Sequence, residues 1–315
     1  MQAAQEQAPS PASASASASA SPPPRAHHSQ SLAALFSANL RQDRLALTGV
    51  VLLTFFLVVG IFAESLAPHG PRERHYDDAG RIRRLEPPSL AHPFGTTDVG
   101  RDIFSQVILG TRTALIVGFL AALLVTLVGA VVGIVAGYYG GWPDAVLMRI
   151  VDFFYAIPFI PFAIVLAAIL QPSIWNIILA VSLLTWRTVA RIVRSQVLSI
   201  AQRPYIKAAR VAGAGHTRIM TRYILPNVLP LVLLEMAFMV NWAIMAEASI
   251  AFLGFGDPRL TSWGQILHLN FVSGYWRIAW WWTVPPGLAI ILLLLSIFFV
   301  ARALEAVVDP RLRNR

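Results

Sequence analysis

Long apolar runs divided by short polar segments dominate the pattern along the chain. A membrane-crossing helix needs about 20 predominantly apolar residues. That ruler marks six candidate spans, at 45–63, 113–137, 146–169, 176–193, 227–252 and 284–302. The third contains Pro158 and Pro161, and the fourth is short and ends in Arg187 and Arg191. Both fit a packed bundle, where neighbouring helices satisfy freed backbone groups. Gly129, Gly133 and Gly137 recur every fourth residue in the second span. This spacing predicts a smooth helical stripe for close helix–helix approach.

The pattern divides the chain into an Ala/Ser/Pro-rich tail at 1–39, a first span with its following loop at 40–111, a core of five spans at 112–302, and a terminal tail at 303–315. The first tail has too little bulky apolar content to offset the entropy of ordering, so disorder is expected there. His27 and His28 lie in it and read as solvated residues without a third ligand. No charged-then-apolar leader pattern opens the chain, so the first span reads as an uncleaved anchor.

With six spans both termini share one side. That side holds sixteen of the 25 Lys and Arg residues, which predicts that it is cytoplasmic. Trp263, Tyr275, Trp276, Trp280, Trp281 and Trp282 cluster before the last span and suggest an aromatic belt at the outer interface.

Composition agrees with this pattern: 56% of the 315 residues are hydrophobic, 13% are charged, and mean hydropathy is +0.62. The net charge of +9 would suggest nucleic acid in a soluble protein, but here it follows from cytoplasmic loops. Cysteine is absent, which excludes disulfides and thiolate chemistry. There is no GxxxxGK[ST] phosphate loop, no HExxH, no GxSxG and no Cys/His metal spacing. The chain therefore reads as a non-enzyme with no catalytic residue and no metal site. Charge inside a span is costly, so Asp152, Glu235 and Glu247 need a reason. Asp152 is expected to pair with Arg149 one turn back. Glu235 and Glu247 are candidates for a polar pathway.

The basic stretch YIKAARVAGAGHTRIMTRYILPNVLP, from Tyr205 to Pro230, stands apart from the apolar runs. No acid occurs between residues 187 and 226. Pro204 suits a first helical turn, Ala208, Ala209 and Ala212 favour helix, and Gly213 suits the residue just past its end. A short helix at 203–213 is predicted. It carries small side chains with Lys207 and Arg210 as its charges, a shape able to sit in the groove of a soluble partner.

This stretch resembles the EAA loop of ABC importer permeases, with Ala208, Ala209, Gly213, Leu225 and Pro226 at the matching places and Lys207 where the motif begins with an acid. Three further stretches resemble the dipeptide/oligopeptide/nickel subfamily: HPFGTTDVGRDIFSQVILGTRTAL from His92, GYYGGWPDAVLMRIVDFFYAIPF from Gly137, and EASIAFLGFGDPRLTSWGQIL from Glu247. The resemblance spans roughly residues 40–312. It implies an all-α type I ABC importer permease fold with six transmembrane helices and both termini cytoplasmic, in a bacterial plasma (inner) membrane. It further implies a coupling loop at 194–226, whose Tyr205, Lys207, Ala208, Ala209, Arg210 and Gly213 face an ATPase. The implied partners are a second homologous permease, two ABC ATPase subunits that bind the ATP and Mg, and an extracytoplasmic solute-binding protein. Gly95, Asp98, Gly100, Arg101 and Asp102 then become candidates for the binding-protein side. The implied cargo is a di- or oligopeptide, with nickel or another small solute as alternatives.

Two other classes compete. An ion-coupled carrier acting alone should show an inverted repeat and paired intramembrane charges, and the sequence shows neither. A membrane scaffold would use the basic loop for docking without transport.

Overall fold

The computed structural model describes residues 43–308, with side chains to 305. The two outer tails, with His27, His28 and the last residues, lie outside this range. The described residues are helical, joined by loops whose only bridges are the isolated pairs Tyr76 with Ile82 and Thr96 with Asp102.

The first span is α1, Arg44–Ile61, with the single turn α2 at Ala63–Leu66. Next comes α3, Ile103–Tyr139, of 37 residues. It starts ten residues before the apolar run because Asp102 accepts the Ser105 N–H and caps it there. The boundary expected at residue 112 therefore falls inside this helix. At 1.5 Å per residue α3 is roughly 55 Å long, and its two ends are the two faces of the molecule.

The third span departs most from expectation. It is a pair, α4 at Gly141–Tyr155 and α5 at Phe159–Leu170, bent by 80°. Pro158 is the hinge: it has no N–H to continue α4, and it sits as the extended residue before α5. Pro161 falls in the first turn of α5, where a missing N–H costs nothing.

After the bend comes α6, Ile174–Ala201, which outlasts its apolar stretch by two turns. The short α7 follows at Pro204–Val211, then α8 over His216–Phe255, α9 at Trp263–Val272 and α10 at Trp280–Val308. In α8 a wide turn at Met220–Ile224 sets the Leu225 N–H on the Met220 carbonyl, five residues back. Pro226 follows at once. Its ring would crowd a regular preceding turn, and the wider turn makes room for it.

The glycine stripe does what its spacing predicts. A Cβ on Gly129 would lie 2.6 Å from Val189 Cβ, one on Gly133 2.6 Å from the Ala190 carbonyl and 2.9 Å from Val193 Cβ, and one on Gly137 2.8 Å from Val197 Cβ. Both series rise together, so α3 and α6 run parallel in tight register. The segment between them must return to the starting face. The bent α4–α5 pair therefore crosses the bundle as one span. With α1, α3, α6, α8 and α10, each long and apolar enough to cross a membrane, this makes six crossings among the described residues.

Two sequence expectations are corrected by packing. Trp263 and Trp282 are 1% exposed and belong to the core, whereas Trp276 and Trp280 are open. Trp263 donates Nε1–H to the Val107 carbonyl at 2.9 Å and packs edge-on against Phe56. Gly110 leaves the room, since a Cβ there would sit 2.6 Å from the indole. Asp152 pairs with Arg191 of α6 at 2.7 Å, not with Arg149.

Candidate functional site

At one face of the bundle, α7 stands out from the last turns of α3 and α6. Pro204 opens it and Gly213, at φ +79°, closes it with the left-handed turn expected of a glycine past a helix end. The Gly213 N–H donates to the Arg210 carbonyl and the Ala214 N–H to Ala209. Ile206 is the anchor. It is 0% exposed, in a cluster with Val197, Ile200, Ile219, Ile224 and Val228. Tyr205, Lys207, Ala208, Arg210 and Gly213 are exposed, and Ala209 is half-buried. Val211 is 91% exposed, an apolar side chain with nothing of this chain over it. The result is a smooth knob held by one buried foot.

A second clasp was not read from sequence. The Tyr138 hydroxyl and His216 Nδ1 are 2.9 Å apart, joining the end of α3 to the start of α8. The Arg210 guanidinium lies 5.1 Å over the same Tyr138 ring, which ties the far end of α7 to that joint. Beside it, α6 presents Arg187, Arg191 and Arg194 on one face. Arg194 grips Asp144 of α4 with two N–H groups, Arg191 takes Asp152, and Arg187 donates to the Phe154 carbonyl. Arg187 and Arg191 also cover the Tyr155 ring. These partners explain how α6 continues past its apolar stretch: its cations are spent on α4.

The opposite face carries the loop from 67 to 102. Gly95, Gly100 and Asp102 are buried there, while Asp98 and Arg101 are partly exposed. Gly95 and Gly100 have φ of +68° and +73°, and a Cβ on Gly95 would meet Trp281 at 2.7 Å. Asp102 caps α3 and bonds His92. These three residues shape the loop from within. Arg101 keeps a buried Nε without a hydrogen-bond partner, and its pKa is lowered by burial and then by Arg74 and Arg72, against Asp98. Three histidines also meet here, His69, His75 and His92. The His75 pKa is lowered by burial and by its two imidazole neighbours, against Glu73 and Asp102.

Of the two pathway candidates, Glu247 is 3% exposed and sits beside Ala248, whose carbonyl a Cβ on Gly264 of α9 would meet at 2.2 Å. It lies in the α8–α9 seam. Glu235, three turns deeper in α8, is half-buried.

Among the described residues, a helical bundle of six crossings, with an amphiphilic knob on one face and a folded loop on the other, defines a polytopic membrane protein. The comparisons make the class specific. The profile described as binding-protein-dependent transport system inner membrane component matches residues 129–314, and that of the N-terminal TM domain of oligopeptide transport permease C matches 31–88. A putative peptide transport system permease of Brucella abortus is 36% identical over 286 residues, 90% of this chain and 94% of its own length. The dipeptide transport system permease protein DppC of Alkalihalophilus pseudofirmus is 36% identical over 230 residues, 73% of this chain and 74% of the relative. The chain belongs to the family of binding-protein-dependent transport system inner membrane components. Among solved structures, one of the MetNI methionine ABC transporter in inward-facing conformations aligns with a TM-score of 0.53 at 20% identity, covering 64% of this chain and 96% of that one. That likeness shows a shared fold.

Proposed function

We propose that this chain is one of two permease subunits of an ATP-driven importer for di- or oligopeptides, the cargo named in its dipeptide-permease relative and in the matching oligopeptide permease profile. The observation that carries the reading is α7: a short helix with one buried residue, small exposed side chains and an exposed Val211, on the face richest in cations. Such a knob suits a groove on an ATPase subunit. The ATPases would bind ATP and Mg²⁺; this chain has no phosphate loop. Tyr205, Lys207, Ala208, Ala209, Arg210 and Gly213 form the contact.

In this reading the knob face and both termini are cytoplasmic, and the chain sits in the bacterial inner membrane. Closure of the ATPases pushes α7 as a rigid body. The Tyr138–His216 joint and the parallel α3–α6 pair pass that displacement to the bundle. Asp98 and Arg101, at the rim of the opposite loop, are the candidates for contact with an extracytoplasmic binding protein, while Gly95, Gly100 and Asp102 hold the loop beneath them. A second permease completes the pathway, with Glu235 as this chain's polar contribution.

The test is uptake of a labelled dipeptide by cells carrying the intact system, and by cells whose partner ATPase has its phosphate-loop Lys replaced. Uptake should vanish in the second. Uptake that persists without ATP hydrolysis and follows the ion gradient would support a carrier acting alone instead.

A further inference from the structure

In the folded loop, one ring nitrogen from each of His69, His75 and His92 lies within 4.8 Å of the other two. The ring centroids are 4.2, 4.6 and 5.4 Å apart. The chain brings them together from separations of six and 17 residues, and pins each by other atoms. The His69 N–H donates to Ser105 Oγ at 3.1 Å. The His75 N–H donates to the Gly100 carbonyl at 2.8 Å, and its carbonyl accepts from Arg83 at 2.9 Å. The His92 N–H donates to Ser89 Oγ at 3.1 Å.

His92, the buried member of the three, sets the chemistry. His92 Nδ1 is 3.0 Å from Asp102 Oδ1, with side chains 4% and 0% exposed. The other oxygen, Asp102 Oδ2, takes the Ser105 N–H at 2.8 Å and the Ser105 hydroxyl at 2.6 Å, so the carboxylate cannot swing away. An ionised carboxylate only accepts, so a neutral His92 that gives Nδ1–H to Asp102 keeps Nε2 free as a ligand atom. A carboxylate behind an imidazole is the support that orients metal-ligating histidines. His75 Nε2 is buried and has no hydrogen-bond partner. A polar atom left so is costly unless something else binds it.

We propose that His69, His75 and His92 form a tripodal site for one divalent transition-metal ion, with Asp102 behind His92 as its orienting partner. Neutral imidazoles select ions of the Zn²⁺, Co²⁺ and Ni²⁺ kind over Mg²⁺ and Ca²⁺, which require oxygen ligands. Tetrahedral bonds of about 2.0–2.1 Å would draw the nitrogens to about 3.3 Å from each other. Half-buried His69 and His75 have the freedom to close that gap by small torsions. A fourth position stays open to water or to a group brought by a partner. The ion would fasten three separate segments of the loop to the residue that caps α3. It therefore stiffens the platform at that end of the helix, whatever the transported cargo is.

The experiment uses the complete importer complex with a tag free of histidine. Its background is His27→Ala with His28→Ala, which removes the tail imidazoles. After chelation, Co²⁺ is titrated and followed by visible absorption, and metal content is counted by elemental mass spectrometry. The expected result is one tetrahedral Co²⁺ per copy of this chain beyond that held by the His75→Gln complex, displaced by Zn²⁺. Asp102→Asn should weaken binding by about 10–100-fold, and His268→Gln, elsewhere in the fold, should change nothing. Melting read without metal should be alike for parent and His75→Gln, with a metal-induced rise only in the parent. If the parent gives no tetrahedral Co²⁺ spectrum, or His75→Gln binds as tightly as the parent, the proposal is overturned. The parent spectrum decides even where a variant fails to fold.

Discussion

The hydroxyl of Tyr138 and Nδ1 of His216 stand 2.9 Å apart, where the last turn of α3 meets the first residue of α8. Arg210 of α7 covers the same ring. Three elements thus share one aromatic side chain that is only 5% exposed. In the proposed function, a push on α7 would reach two long helices at one point.

Removing this joint should loosen coupling before it loosens the fold. Tyr138→Phe loses one hydrogen bond, a cost of about 0.5–1.5 kcal/mol, and keeps the ring beneath Arg210. Tyr138→Ala loses both. Uptake per ATP hydrolysed in reconstituted vesicles should fall slightly for the first and severely for the second, with ATP hydrolysis retained. Equal ratios in both variants would show that the joint carries no displacement.

Gly213 allows a graded test of the knob. Its φ of +79° is costly for most residues, while a Cβ there would meet nothing within 4 Å. Left-handed backbone costs a non-glycine residue about 1–2 kcal/mol, and Asn tolerates it better than Ala. Uptake at matched membrane levels should rank Gly213, then Gly213→Asn, then Gly213→Ala, with Gly213→Arg inactive because it adds bulk on the docking face. Gly213→Arg matching Gly213→Ala would mean that strain alone acts.

The glycine stripe and a glycine outside it should respond oppositely. Gly133→Ala forces a Cβ to 2.6 Å from the Ala190 carbonyl, a backbone atom with little room to move. Overpacking of this kind costs about 1–3 kcal/mol. Gly287→Ala in α10 meets nothing within 4 Å and should be neutral or gain about 0.5–1 kcal/mol in helix preference. Thermal unfolding in detergent separates them.

Asp144 and Arg194 hold α4 against α6 with side chains only 15% and 28% exposed. Asp144→Asn leaves the guanidinium partly buried without its counter-charge, and should cost about 2–3 kcal/mol, below the range for a fully buried pair. Adding Arg194→Gln should recover part of the loss. A double-mutant cycle in thermal stability with no coupling between the two would contradict the clasp.

Much of this architecture is legible in the residues, and the parts that are not share a cause. Apolar length marks the spans, Pro204 and Gly213 mark α7, and the four-residue glycine period marks the α3–α6 seam, because each depends on local geometry alone. The bend at Pro158 is visible as a proline, but its 80° angle is decided by what α4 and α5 pack against. Asp152 sits one turn from Arg149 yet bonds Arg191 of another helix. Trp263 looks like one of an interfacial group until Gly110 opens a slot for it in the core. His69, His75 and His92 follow no metal-ligand spacing, and only the folded loop unites them.

The most direct test of the central claim uses the absence of cysteine from the chain. Ala208→Cys, exposed on α7, and Leu90→Cys, fully exposed on the opposite loop, each introduce one thiol. With the assembled complex and a short thiol-to-amine cross-linker, Ala208→Cys should join this chain to the ATPase subunit, and Leu90→Cys should not. An ATPase adduct from Leu90→Cys, or none from Ala208→Cys in a complex that still hydrolyses ATP, would contradict the assignment of α7 as the coupling helix.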